Sequence, residues 1–335
     1  MRKIPVTVIT GFLGAGKTTL VRHLMSNAGG RRIALVVNEF GDVGIDRDLL
    51  LGCGDAACTD DDIVELANGC LCCTVADDFL PAMTRLIERA NPPEHILVET
   101  SGLALPKPLV KAFGWPGIKA RATVDGVVTV VDGPAVAAGR FASSPEEMAR
   151  PDHENPLDEV FSDQLACSDL VLLNKTDLMT PEAIRSLSGD LSSRLRPGTK
   201  LIAARQSRIA PDILLGLSAA AEDDLASRPS LHDLMDAHDH EDFESFVLSL
   251  SPIDNPDDLE ERLQSAIAAH DILRIKGFLD VPGKPLRLAL QGVGARIERY
   301  FDRPWQAGEQ RASRLVVIGQ KGLDRNAIAA MIGAG

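Results

Sequence analysis

Short runs of apolar, largely β-branched residues recur along the first two thirds of the chain: KIPVTVIT, RIALVVN, EHILVET, GVVTVVD, DLVLLNK and TKLIAA. Segments of helical length separate most of them. The alternation predicts an α/β fold, a mostly parallel P-loop-type sheet with helices on both faces. In such sheets ligands sit beyond the carboxyl ends of the strands, so the residues that follow each run are the first candidates for chemistry. Beyond residue 242 the pattern changes. FESFVLSLS, a helical stretch near 256–270, ILRIKGFLDV, KPLRLALQGV, RLVVIG and a final helix predict a smaller C-terminal α+β domain. Between the two, residues 218–242 (SAAAEDDLASRPSLHDLMDAHDHED) are acidic, His-bearing and poor in large apolar side chains, which reads as a linker. The expected division is therefore 1–217, 218–242 and 243–335.

Composition narrows the function classes. The 335 residues are 45% hydrophobic, enough to bury real cores in about two domains. A formal net charge of −13 without any Lys/Arg run argues against nucleic acid or an anionic membrane as partner, since both demand a concentrated basic face. No segment reaches the ~18 apolar residues of a membrane span, and motif sequence starts at Gly11, so a cytoplasmic protein is expected. In that reducing compartment the six cysteines, Cys53, Cys58, Cys70, Cys72, Cys73 and Cys167, are thiols or metal ligands rather than a disulfide framework.

The run KIPVTVIT is followed by GFLGAGKT, a Gly-x4-Gly-Lys-Thr loop that opens the helix-forming segment KTTLVRHLM. Loop glycines let backbone N–H groups face phosphate oxygens, and the helix N-terminus adds a favourable dipole. Gly11, Gly14, Ala15, Gly16, Lys17, Thr18 and Thr19 are the expected contacts; Lys17 reaches the β/γ-phosphates and Thr18 ligates Mg2+. A glycine-rich turn without a ligand is the bland alternative.

DLVLLNKTD ends an apolar run with Asn174, Lys175, Thr176 and Asp177. A carboxylate there can accept from both N1–H and the exocyclic amine of guanine, a pair of donors that adenine lacks. HILVETSG sets Glu99 at a strand end and Gly102 three residues later, where a carboxylate holds Mg2+ and a glycine N–H senses the γ-phosphate. Lys17, Glu99 and Gly102 are thus the catalytic candidates. Leu103 stands where a water-orienting Gln would be useful; an apolar side chain cannot do that, so slow intrinsic hydrolysis is expected.

Asn68 to Cys73 read NGCLCC. Cys70 and Cys72 share one face of an extended segment and Cys73 the other, so three-thiolate binding needs a turn, which Gly69 eases. Such a cluster suits Zn2+, Co2+ or Cu(I), and suits Mg2+ and Ca2+ poorly. Glu39 and Asp42 of NEFGDVGID follow the second run and are candidates to complete this site or the Mg2+ site, with an ordinary surface-loop role as the alternative. His232, His238 and His240 read as solvated linker residues, with loose metal capture as the alternative, and Cys53 and Cys58 as packing or incidental exposure, with a second weak metal site as the alternative. Cys167 fits a buried small hydrophobe, and His23 and His95 fit core or surface positions.

Taken in order, GFLGAGKT, NEFGDVGID, GCLCC, ETSG and NKTD resemble the CobW-type metallochaperone GTPases of the SIMIBI class. The resemblance covers nearly the whole chain, because HDILRIKGFLDVPGKPLRLALQGVG looks like that family's C-terminal domain. It implies Mg2+-GTP binding and a transition metal held at the Cys-x-Cys-Cys motif. ETSGLALPKPLVKAF and YFDRPW are similar to the cobalt-handling members linked to aerobic cobalamin biosynthesis, which implies Co2+ delivery to a cobaltochelatase. The alternatives are a Zn2+ chaperone, a zinc- or redox-responsive GTPase, and a P-loop small-molecule kinase with structural cysteines.

Overall fold

The computed structural model of the chain describes residues 3–38, 63–66, 79–140, 156–230, 243–270, 272–293, 296–305, 309–320 and 322–334. In its first unit the elements run β1 (Ile4–Thr10), α1 (Lys17–Ser26), β2 (Ile33–Asn38), β3 (Ile63–Leu66), α2 (Leu80–Ile87), β4 (His95–Glu99), α3 (Pro106–Ala112) and α4 (Pro116–Lys119). They continue with β5 (Ala122–Asp132), α5 (Gly133–Ala137), α6 (Pro156–Cys167), β6 (Leu170–Asn174), α7 (Pro181–Arg194), β7 (Lys200–Ala203) and α8 (Pro211–Leu214).

The seven strands pair in the order β3-β2-β4-β1-β5-β6-β7, and every pairing is parallel. Val6 and Val8 of β1 join Ala34, Val36, Ile96 and Val98 in one core cluster, covered by Met83, Leu86, Leu109 and Phe113. The intervening positions Ile9, Leu35, Leu97 and Val128 are buried as well. Because successive strand side chains point to opposite faces, both faces of the sheet are covered, which is why these strands read as continuous apolar runs. Helix starts follow local chemistry: Pro stands in the first turn of α3, α4, α5, α7 and α8, and Thr180 caps α7 by accepting from the Ala183 N–H at 3.3 Å.

The second unit contains β8 (Phe243–Leu250), α9 (Pro256–Ala269), β9 (Ile272–Leu279), β10 (Leu286–Val293), β11 (Arg296–Pro304), β12 (Ser313–Gln320) and α10 (Arg325–Ile332). Its sheet is antiparallel, in the order β11-β10-β9-β12-β8. Leu259, Leu263 and Ile328 of the two helices pack on Ile275, Leu279, Leu290 and Val317. This is the α+β architecture read from the sequence.

Two strands escape that reading, and both are edges. β3 is only IVEL, and β11 is the charged RIERYFDRP. Edge strands are short or charged by necessity, so they carry the weakest apolar signal. The tract expected as a linker also divides. Residues 218–230 pack on the first unit: Ala221 and Arg228 are buried, and Glu222 accepts from the Thr123 hydroxyl at 2.6 Å and the Val124 N–H at 2.9 Å. Arg228 pairs with Asp169 at 2.6 Å. The charges that suggested a solvated segment are matched instead by specific partners. Residues 231–242, with His232, His238 and His240, lie outside the described residues.

Candidate nucleotide and metal site

The phosphate loop is shaped by the backbone that surrounds it. Gly11 has φ +130, and a Cβ there would stand 2.1 Å from the Val130 carbonyl oxygen of β5. Gly16 has φ +106, and its Cβ would meet Asn174 Nδ2 at 2.5 Å and Ser207 Oγ at 2.7 Å. Only glycine fits either place. Gly14 also has positive φ, and the Ala15 N–H closes the turn on the Phe12 carbonyl at 3.2 Å. The first turn of α1 then presents N–H groups with no partner inside the helix, an anion site by construction. Lys17 is buried, and its ammonium donates to the Gly11 carbonyl at 2.7 Å and the Phe12 carbonyl at 3.2 Å. Thr19 is exposed.

Glu99 ends β4, beside β1. Its carboxylate is 3% exposed and accepts from the Thr18 hydroxyl at 2.9 Å. A hydroxyl and a carboxylate on adjoining elements are the hard oxygen donors that Mg2+ takes, so this pair fits the ion. Three residues on, Gly102 passes the loop so closely that a Cβ would lie 2.7 Å from the Leu13 backbone nitrogen. Gln164 of α6, fully buried, donates to the Gly102 carbonyl at 3.2 Å and the Ala104 carbonyl at 3.3 Å. The segment from Glu99 to Ala104 is therefore held between the phosphate loop and α6. Leu103 is buried.

The residues after β6 fasten three loops together. Asn174 donates to the Ala15 carbonyl at 2.8 Å and accepts from the Ser207 N–H at 2.7 Å, while the Ser207 hydroxyl donates to the Gly16 carbonyl at 3.0 Å. Lys175, at φ +60, donates to the Gly14 carbonyl at 2.6 Å and to Asp132 Oδ2 at 2.9 Å. Asp132 in turn caps α5 by accepting from the Ala135 N–H at 3.1 Å. Asp177 is exposed. Sequence reasoning singled out Asn174, Lys175 and Asp177 but missed Asp132, Gln164 and Ser207. Asp132 had a legible signal, since it ends the run GVVTVVD; Gln164 and Ser207 had none.

Cys70, Cys72, Cys73, Glu39 and Asp42 lie outside the described residues, as do Cys53 and Cys58. The strands that lead to them are described. Leu66 is the register partner of Asn38, and Val37 is the partner of Glu99. With neighbouring strands about 4.8 Å apart, β2 and β3 end within about 10 Å of Glu99, on the edge that carries the phosphate loop. Among the described residues no group of three or more His, Cys, Asp or Glu is arranged to hold a metal ion.

The remaining candidates are structural. Cys167 is buried beneath Arg228, and burial pushes its thiol up to about 11. His23 shares a 2.9 Å hydrogen bond with the Ile209 carbonyl. His95 shares one of 2.8 Å with the Thr7 hydroxyl, and burial holds its imidazole down to about 4. No helix among the described residues is long and apolar enough to cross a membrane.

Comparisons with known proteins agree with this geometry. The nucleotide-binding domain model of CobW/HypB/UreG matches residues 5–203, and the model of the cobalamin synthesis protein cobW C-terminal domain matches residues 243–334. The chain is 54% identical to the zinc chaperone CobW of Sinorhizobium sp, over 99% of this chain and 97% of that protein. It is 50% identical to the zinc chaperone CobW of Pseudomonas aeruginosa, over 98% and 90%, and 32% identical to the zinc chaperone YjiA of Escherichia coli, over 95% of each. A glycine-shaped phosphate loop, a partly buried Thr18–Glu99 contact and the Asn174–Asp177 loop, within matches that span almost the full length, place the chain in the CobW/HypB/UreG family of P-loop GTPases.

Proposed function

We propose that the chain is a GTP-gated carrier of a transition metal, with Zn2+ as its favoured cargo, held by Cys70, Cys72 and Cys73 and passed to a client protein in the cytoplasm after hydrolysis. The observation that carries the reading is the shared edge: β2 and β3, which lead into the Glu39/Asp42 and Cys70–Cys73 segments, end beside Glu99 and the phosphate loop. A γ-phosphate bound there would lie at the strand ends from which both segments depart. Zinc is favoured because the similar chaperones bear that name and because N/S sites bind Zn2+ more tightly than Co2+. Glu39 or Asp42 is the candidate fourth ligand.

The roles of the chain's own residues follow from their positions. The loop N–H groups and Lys17 take the phosphates, Lys17 exchanging its two carbonyl acceptors for phosphate oxygens. Mg2+, when bound, would be held by Thr18 and Glu99, and supplies positive charge against the β- and γ-phosphates. Gly102, fixed by Gln164, offers its N–H to the γ-phosphate. Asp177 selects guanine. Leu103 orients no water, so intrinsic turnover is slow.

Titration of the protein with buffered Zn2+ and Co2+, in Mg2+-GTP, in Mg2+-GDP and without nucleotide, tests this. Zinc affinity should be highest with GTP and disappear in Cys72→Ser; equal affinity in all three conditions would favour a zinc- or redox-responsive GTPase instead. A second cargo, Co2+ destined for a cobaltochelatase, rests on the segments Glu99–Phe113 and Tyr300–Trp305, which resemble cobalt-handling members. Tighter Co2+ than Zn2+ binding in the GTP state would establish it.

A further inference from the structure

At the amino ends of β1, β2, β4 and β5, on the edge opposite the nucleotide loops, lies an open cavity of about 800 Å3. That is the size of a metabolite pocket. Its polar lining is unlike the rest of this acidic protein: Lys3, Arg31 and Arg32 stand around it, against Glu94 and Asp125.

Both carboxylates are already engaged. Asp125 is buried, and its two oxygens accept the N–H groups of Gly216, Leu217 and Ser218 at 2.6, 3.1 and 2.9 Å. Glu94 accepts the Arg32 N–H at 2.9 Å and pairs with that guanidinium at 3.7 Å. Arg32 also donates to the Pro92 carbonyl at 3.4 and 3.5 Å, and Arg31 meets one exposed carboxylate, that of Asp212, at 2.7 Å, which leaves further N–H groups on the five-donor guanidinium of Arg31. His95 lines the cavity as a neutral imidazole, because burial depresses its pKa by more than the neighbouring Asp125 carboxylate raises it, with Arg31 adding a smaller downward push. Pro5, Pro92 and Leu215 supply apolar wall. The result is a cleft with an apolar wall in which three cations, Lys3, Arg31 and Arg32, outnumber two carboxylates that already receive backbone or guanidinium N–H groups.

The geometry points to a second ligand site, in which this cavity binds a small organic oxyanion, a carboxylate or a phosphate monoester, through Lys3, Arg31 and Arg32. None of these residues belongs to the nucleotide machinery, so the site stands whether or not the carrier reading does.

The test is calorimetric titration of the full-length chain, saturated with Mg2+-GDP to fill the phosphate loop, with succinate and with glycerol 3-phosphate as probes. At least one probe should bind at a single site with a Kd below about 5 mM. The Lys3→Glu, Arg31→Glu double variant should weaken that binding by about tenfold or more while Mg2+-GDP affinity stays unchanged. In the unsubstituted protein, saturation with the same probe should move the ring resonances of His95. Succinate binding alone marks a carboxylate site, and glycerol 3-phosphate alone a phosphate-ester site. Absence of saturable binding below about 5 mM for both probes, equal binding by the double variant, or an unmoved His95 would overturn the assignment.

Discussion

At the carboxyl edge of the seven-stranded sheet a single added methyl has nowhere to go: on Gly11 it would stand 2.1 Å from the Val130 carbonyl, and on Gly16 2.5 Å from Asn174 Nδ2. At the amino edge of the same strands, Ile4, His95 and Asp125 border a cavity of about 800 Å3. The two edges share their backbone and differ in what the backbone is for. The carboxyl edge is close-packed because main chains approach one another there, and its side chains hold one loop against another. The amino edge is roomy because side chains do the facing, and its loops are held by Asp125 and Glu94.

The contrast predicts a hierarchy of effects. Lys17→Ala removes a cation where transition-state charge develops, and should lower GTP turnover by about 100-fold or more with weaker GTP binding, read in single-turnover assays. Turnover within threefold of the parent would take Lys17 out of the reaction. Next is the pH response of the amino edge. His95 titrates near 4 in the fold and near 6.5 when unfolded, so between those values the unfolded chain binds the extra proton. Stability should therefore fall as pH drops from about 6.5 towards 4, by at most about 3 kcal/mol, with no contribution from this group above that window. Urea unfolding at pH 7 and pH 5 should show the loss, and His95→Gln should lessen it; an equal loss in the variant would assign it to other groups.

Smaller still is Asp177→Asn, which should cost about 1–3 kcal/mol of GTP binding and improve binding of xanthosine triphosphate, whose carbonyl accepts from the new amide. Unchanged selectivity would remove Asp177 from base recognition. Least of all is Asp212→Ala. Its pair with Arg31 is exposed on both sides, so the change in unfolding free energy should stay within about 1 kcal/mol.

The same contrast explains what the sequence made legible. The carboxyl edge is written in contiguous motifs, because a tight turn and its ligands are neighbours in the chain: Gly11 to Thr18, Glu99 to Gly102, Asn174 to Asp177. Its fasteners were harder to see. Ser207 meets Asn174 across 33 residues and Gln164 meets Gly102 across 62, and neither residue type is unusual where it stands. The amino-edge cavity draws on positions near 3, 31, 95, 125 and 216, a set that only the strand order β2-β4-β1-β5 brings together. Likewise, the acidic residues 218–230 looked like a solvated linker because composition cannot reveal that Glu222 has the Thr123 hydroxyl and the Val124 N–H to receive. Edge strands β3 and β11 were missed for different reasons: β3 is buried but only four residues long, too short for a pattern, and β11 mixes charged with apolar residues as a partly exposed edge does.

The central claim is that the phosphate loop governs a thiolate metal site reached from the ends of β2 and β3. Binding linkage makes it directly measurable: if Mg2+-GTP tightens Zn2+, then Zn2+ must tighten GTP by the same factor, about 5–150-fold for ordinary coupled sites. Zinc affinity measured with a competing chelator in Mg2+-GTP and in Mg2+-GDP should differ by a factor in that range, and Cys72→Ser should abolish the difference while leaving GTP binding intact. Equal zinc affinities in the two nucleotide states would contradict the account.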